Sequence, residues 1–139
     1  MKIGNLFNFF LLIFATTFVA CENKEKDGDW ESIKWVINGS NMVRNMIEVP
    51  NNGDVYVIKC KNYKSFWINA LSENGESLPI SYEDKEIEKE WYSIKIDDEN
   101  TMIVSILSNS GDDNRTLKIG IQAGNAFDSF LFEQKKELR

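Results

Sequence analysis

Apolar and polar residues alternate along most of the chain after position 30, with the period of two that is typical of β-strands. The clearest case is the segment 117–123, where Leu117, Ile119 and Ile121 face one way and the residues between them face the other. This pattern predicts a half-buried strand of an antiparallel sheet. Similar patterns predict seven strands in all, at 33–37, 55–60, 66–71, 91–96, 102–107, 117–123 and 127–132.

Clusters of Asn, Gly, Asp and Pro separate these strands and predict turns. They lie at 38–40, 50–54, 73–76, 97–100, 110–114 and 124–125. The segment 84–90 is polar nearly all round, so it predicts a solvated loop or a single turn. Short strands separated by such turns predict an all-β protein, an immunoglobulin-like β-sandwich of about seven to eight antiparallel strands.

The first 20 residues have a different pattern, an apolar run from Phe9 to Val19 that follows the basic residue Lys2 and ends at the small residue Ala20. These features describe a secretory signal peptide. The run is too short to span a bilayer comfortably, because a spanning helix needs roughly 20 apolar residues. Since Cys21 directly follows the small residue, the segment resembles the lipobox of bacterial lipoproteins. The resemblance implies cleavage before Cys21 and acylation of its thiol and of the new amine.

Residues 21–29 contain no large apolar side chain and many charges, so they predict a flexible tether before a domain at 30–139. The tether resembles the charged, acid-containing segment that sends lipoproteins of the Bacteroidetes lineage to the outer face of the outer membrane. That resemblance implies a lipid-anchored protein that faces the cell exterior. The alternative is that the tether is polar only because tethers generally are.

The charge and composition of the chain exclude several classes of function. The net charge is −6, and loss of residues 1–20 leaves 15 basic against 22 acidic residues, or −7. Without a block of Lys and Arg, neither nucleic acid nor a polybasic membrane contact is expected. The sequence has no histidine, and Cys60 is the only thiol besides Cys21. Cys60 lies in an apolar strand and is expected to be buried, with a reactive thiol as the alternative.

Residues 91–134 carry an ordered set of strands and polar positions. A strand begins at Trp91, a second ends near Asn109, a third begins at Arg115, and the last closes on Gln134. This order resembles the end of the BACON domain, an immunoglobulin-like β-sandwich common in secreted and surface proteins of Bacteroidetes. The resemblance implies that fold and an association with carbohydrate or mucin. Asn109, Arg115 and Gln134 are expected to be scaffold residues, since their side chains can bond nearby groups at turns and strand ends.

The candidate ligand-binding residues are Tyr63, Trp67 and Tyr82, which lie at or beside predicted loops. Aromatic rings with a polar group can pack against the apolar faces of sugars or anchor a protein interface. Trp35 and Trp91 lie within strands and are expected in the core. The alternative for all three candidates is packing under a loop.

The orientation of Trp67 follows from its predicted strand. If Phe66, Ile68 and Ala70 face inward, Trp67 faces outward. Trp67 is therefore the best single candidate for an exposed binding platform.

The sequence contains no motif that predicts catalysis, a metal site or a cofactor. The acidic residues at 97–99 and 112–113 lack the spacing of an EF-hand loop and are explained by turn solvation. There is no nucleophile elbow and no glycine-rich phosphate loop. We therefore expect a non-enzymatic surface module that binds glycan or mucin. The alternative is a structural spacer or a protein-interaction module of the bacterial cell envelope.

Overall fold

The computed structural model describes residues 30–41 and 45–137. The predicted signal peptide, the predicted lipidation site Cys21 and the predicted tether lie outside these residues. The described chain forms eleven β-strands, and it includes no helix long and apolar enough to cross a membrane. The strands are β1 (Trp35–Ile37), β2 (Ser40–Asn41), β3 (Met46–Val49), β4 (Gly53–Cys60), β5 (Trp67–Glu73), β6 (Glu76–Ser77), β7 (Glu86–Glu88), β8 (Tyr92–Asp98), β9 (Thr101–Leu107), β10 (Arg115–Ala123) and β11 (Ala126–Gln134).

The strands form two facing sheets, one with the order β2-β1-β4-β9-β8-β7 and the other with the order β3-β11-β10-β5-β6. The pairing of β3 with β11 is parallel, and the other neighbouring pairs are antiparallel. The seven predicted strands are β1, β4, β5, β8, β9, β10 and β11. Of these seven, β1, β4, β9 and β8 lie next to one another, in that order, in one sheet, and β11, β10 and β5 lie next to one another in the other. This is the strand arrangement of the immunoglobulin fold. The predicted fold class is thus confirmed.

The inward faces of the two sheets form one apolar core. Leu117, Ile119 and Ile121 of β10 are fully buried, as their alternation predicted. Trp35 and Trp91 are also buried, and this too was predicted. The free cysteine Cys60 is 1% exposed, which agrees with its expected role as a small core residue. Each of these side chains thus lies in the core, where its position in the period-two pattern or within a strand predicts it.

The prediction of a loop or turn at 84–90 is wrong. Residues Glu86–Glu88 form the edge strand β7, in which Ile87 lies opposite Ile94 of β8 and is buried. β7 is a short edge strand that pairs with β8 alone, so a single buried side chain, Ile87, packs it against the core. Its two glutamates face the solvent. The short edge strands β2, β3 and β6 were not predicted either.

The predicted inward orientation of Ala70 is also wrong. The register of β5 against β10 shifts at Asn69, which makes this residue a β-bulge. A bulge inserts one extra residue and reverses the alternation beyond it. Ala70 is consequently exposed, and Leu71 takes the buried position. Trp67 precedes the bulge and faces outward, as predicted.

Candidate functional site

A groove of about 390 Å³ lies where β5 begins and β8 ends, so that residues of both sheets line it. This volume is within the range of small-ligand sites, about 300–1,000 Å³. The lining residues come from three short segments of the chain: Ser65, Phe66, Trp67, Tyr82, Asp84, Lys85, Ile96, Asp97, Asp98 and Glu99.

Backbone hydrogen bonds hold these three segments together. The amide of Phe66 donates to the carbonyl of Glu99 at 3.1 Å, which ties the start of β5 to the turn after β8. The amide of Ile96 donates to the carbonyl of Lys85 at 2.8 Å, which extends the pairing of β7 and β8 to the groove. Main-chain contacts therefore fix the walls, one between the start of β5 and the turn after β8 and one within the six-stranded sheet.

Tyr82 lies in a turn that its neighbours stabilise. The Ser81 amide donates to a carboxylate oxygen of Asp84 at 2.7 Å, and the Asp84 amide donates back to the Ser81 carbonyl at 3.1 Å. This reciprocal pair closes the turn, as Asp and Ser commonly do. The phenol ring of Tyr82 is 74% exposed while it lines the groove, so it is accessible to a ligand.

The structure brings together two of the three candidate binding residues. Trp67 is half-buried and lines the groove together with Tyr82. Tyr63 does not line it: its hydroxyl donates to the Glu31 carbonyl at 2.5 Å, and its ring packs against the core. Tyr63 is thus a packing residue, whereas Trp67 and Tyr82 form an aromatic pair at one groove.

Acidic side chains dominate the charge of the groove. Four carboxylates line it, against the single ammonium group of Lys85. The exposed Lys95 lies beside them, with its Nζ 3.9 Å from Asp97. In residues 30–41 and 45–137 no cluster of Asp, Glu, Cys or His is arranged to hold a metal ion. The acidic residues at 97–99, which the sequence predicts to be solvated in a turn, also line the groove beside Trp67 and Tyr82.

The polar residues Asn109 and Gln134 lie away from the groove and support the fold. Both are 1% exposed. Asn109 Nδ2 donates to the Asp113 carbonyl at 2.9 Å, and Gln134 Nε2 donates to the carbonyls of Leu107 and Pro50 at 2.9 and 3.0 Å. They bond to turns and strand ends, as the sequence predicted for scaffold residues.

A clear relative of this chain is found among the solved structures. No protein-family model and no curated protein matches the chain. The NMR structure of a protein from Bacteroides thetaiotaomicron is 35% identical, with a TM-score of 0.72 over 86% of this chain and 99% of that one. The M1 domain of titin is 18% identical, with a TM-score of 0.46 over 74% of this chain and 94% of that one. The teleost fish polymeric Ig receptor ectodomain is 12% identical, with a TM-score of 0.45 over 77% of this chain and 50% of that one. On the identity and coverage of the first match, the chain belongs to the same family as the Bacteroides thetaiotaomicron protein.

Proposed function

We propose that this protein is a lipid-anchored, non-catalytic module that binds glycan at the groove lined by Trp67 and Tyr82. The observation that carries the proposal is that these two accessible rings share one groove with several carboxylates. A sugar ring has an apolar face that packs on an aromatic ring and hydroxyl groups that donate to carboxylate oxygens. The groove offers both kinds of contact.

The proposed location is the outer face of a bacterial outer membrane, with acyl chains on Cys21 as the anchor. The support is the lipobox-like segment that ends at Cys21 and the charged segment 21–29. A family member from Bacteroides and the BACON-like order of residues 91–134 support the same lineage. Two or more acyl chains give stable attachment, because each buried methylene contributes about 0.8 kcal/mol.

A screen of bacterial and mucin glycans, followed by tryptophan fluorescence, tests the binding function. We expect a ligand-dependent change in emission that is lost in Trp67→Ala and weakened in Tyr82→Ala. The matched control is Trp30→Ala, because Trp30 is 57% exposed and does not line the groove. This control lowers the starting emission and keeps the response. A complete screen without any response that depends on Trp67 rejects glycan binding.

The absence of catalysis is part of the proposal and is tested separately. The groove carboxylates are the groups that glycoside hydrolysis would use, since that reaction requires two of them across a cleft. We expect no new reducing ends when a glycan that binds is incubated with the protein for a day. Release of reducing ends that Asp84→Asn or Asp98→Asn abolishes would make the protein an enzyme.

A second candidate function is a protein-interaction module of the cell envelope. The observation that favours it is an apolar patch on the outer face of the six-stranded sheet, where Val55, Val57 and Leu107 are 50%, 42% and 58% exposed. Crosslinking in membranes followed by pull-down should recover a stoichiometric partner that Val57→Lys releases. Met46→Lys, at a residue 57% exposed on the other sheet, is the control. Recovery of no partner, or equal recovery with Val57→Lys, rejects this candidate.

A further inference from the structure

The five-stranded sheet carries an exposed aromatic ring, Phe127, in line with the half-buried Trp67. Trp67 of β5 pairs with Gln122 of β10, and Gln122 pairs with Phe127 of β11. Phe127 is 65% exposed, and the neighbours Ile121 and Ala126 are buried. Residues paired directly across strands share a face of the sheet, so these three side chains form one row on the outer surface.

The spacing of this row suits a chain of linked sugar rings. Neighbouring strands lie about 4.8 Å apart, so Trp67 and Phe127 are separated by about 10 Å, the length of roughly two linked pyranose rings. Gln122 lies between them, and its Nε2 donates to the Gly124 carbonyl at 2.9 Å, which restrains the amide. The row thus alternates an aromatic ring, an amide and a second aromatic ring.

The surface beside the row is filled at Gly120 by the side chain of Asn69. The adjacent row on the same face of β5, β10 and β11 consists of Ala70, Gly120 and Ser129, in which Gly120 pairs with both of the others. A Cβ atom on Gly120 would come within 2.6 Å of Asn69 Oδ1 and 2.9 Å of the Ala70 Cβ, so a larger residue does not fit there. The side chain of Asn69 therefore covers Gly120, which is buried, so the row borders a polar amide at this step.

We infer that the ligand is a linear, uncharged glycan that runs from the groove across the five-stranded sheet, with one ring stacked on Trp67 and another on Phe127. This inference rests on the proposed function. It adds the direction of the bound chain, its minimum length of about three rings and a second stacking position. The acidic groove disfavours anionic chains, which is why the ligand is assigned as neutral.

Isothermal titration with neutral β-1,4-linked gluco-, manno-, xylo- and N-acetylgluco-oligosaccharides of two to six rings tests the inference. For at least one series, we expect Phe127→Ala to leave the affinity for two rings unchanged and to lower the affinity for four or more rings about tenfold. Phe127→Tyr, which keeps the ring, should retain the wild-type affinity. Leu107→Ala, at a residue 58% exposed on the opposite sheet, is the control.

The outcomes separate the inference from the proposed function. If Trp67→Ala abolishes binding in every series that binds and Phe127→Ala has no effect at any length, the extended site is rejected and the groove function stands. If no series binds to the wild-type protein, the neutral linear ligand is rejected, and the wider glycan screen decides the proposed function. Thermal unfolding of each variant shows that a loss of affinity does not come from a loss of fold.

Discussion

The indole nitrogen of Trp91 donates a hydrogen bond of 2.6 Å to a carboxylate oxygen of Glu73. Trp91 precedes β8 in one sheet and Glu73 ends β5 in the other, so the bond joins the two layers of the sandwich. The Tyr92 hydroxyl donates to the second oxygen of Glu73 at 3.3 Å, and the Arg115 guanidinium lies 5.2 Å from the centroid of the Trp91 ring. Polar and aromatic contacts thus meet at one side of the core.

Replacement of Glu73 by alanine should destabilise the protein. The change leaves the indole N–H of Trp91 and the hydroxyl of Tyr92 without their acceptor, and a buried donor without a partner costs about 1–3 kcal/mol. We expect the free energy of unfolding in urea to fall by about 2 kcal/mol. The control is Glu76→Ala, because Glu76 lies opposite Glu73 in the β5–β6 pair and is exposed. Equal losses in both variants would show that the contact with Trp91 contributes nothing.

Alkaline pH should destabilise the sandwich through Tyr92. Burial raises the pKa of the Tyr92 phenol, and the charge of Glu73 adds to this effect. A raised pKa in the folded state means that the contribution of Tyr92 to stability is fully present below about pH 10, the pKa of an unfolded tyrosine. This contribution to stability is lost as the pH rises from about 10 through the raised pKa of the folded state. Burial also raises the pKa of Tyr56, so that residue adds to the same trend.

The measurement is the free energy of unfolding between pH 8 and about pH 11. We expect the decline above pH 10 to be shallower in Tyr92→Phe than in the wild-type protein, because phenylalanine has no proton to lose. Tyr82→Phe is the control, since Tyr82 is exposed. A decline of the same steepness in Tyr92→Phe and the wild-type protein would contradict the assignment to Tyr92.

Most of the fold was predictable because each long strand has a buried face that repeats every second residue. The exceptions have physical causes. β7 has one buried side chain, Ile87, between two glutamates, and a period cannot be recognised from one apolar residue. The orientation of Ala70 depends on the bulge at Asn69, which arises from the register against β10 and leaves no local signal in β5.

The candidate site was only partly predictable, because its residues come from separate segments of the chain. The outward orientation of Trp67 follows from alternation within one strand. Its proximity to Tyr82 depends on a contact between segments about 15 residues apart. The segment 96–99 joins them, because the Phe66 amide donates to Glu99 and the Ile96 amide donates to Lys85. Such contacts are set by the packing of the two sheets. The same holds for Phe127, whose position beside Gln122 becomes meaningful only once the strand order is known.

The acidic groove should discriminate between neutral and anionic glycans. Four carboxylates face one ammonium group there, so a sialylated or sulfated ligand meets repulsion. For an anionic analogue of a bound neutral glycan, we expect weaker binding at low salt and a gain when salt screens the charges. Asp98→Asn and Glu99→Gln should each strengthen binding of the anionic analogue about twofold to threefold relative to that of the neutral glycan.

Competition titrations at low and at physiological ionic strength measure this discrimination. Glu48→Gln is the matched control, because Glu48 is exposed on β3 and does not line the groove. Removal of its charge should change neither affinity. If the anionic analogue binds more tightly than the neutral glycan at low salt, the groove carboxylates do not face the ligand.

Replacement of Cys21 by serine should release the protein from membranes. A serine cannot accept the thioether-linked lipid, so the full chain would lose the acyl chains that make attachment stable. We expect wild-type protein in the membrane fraction of expressing bacteria, labelled by a fatty-acid analogue, and Cys21→Ser unlabelled. Cys60→Ser is the control, because Cys60 is a buried thiol of β4, and this variant should remain labelled and membrane-bound.

Protease treatment of intact cells should digest the wild-type protein if it faces the exterior. Equal labelling of Cys21→Ser and the wild-type protein would contradict the anchor, and full protection of the labelled protein would contradict the surface location.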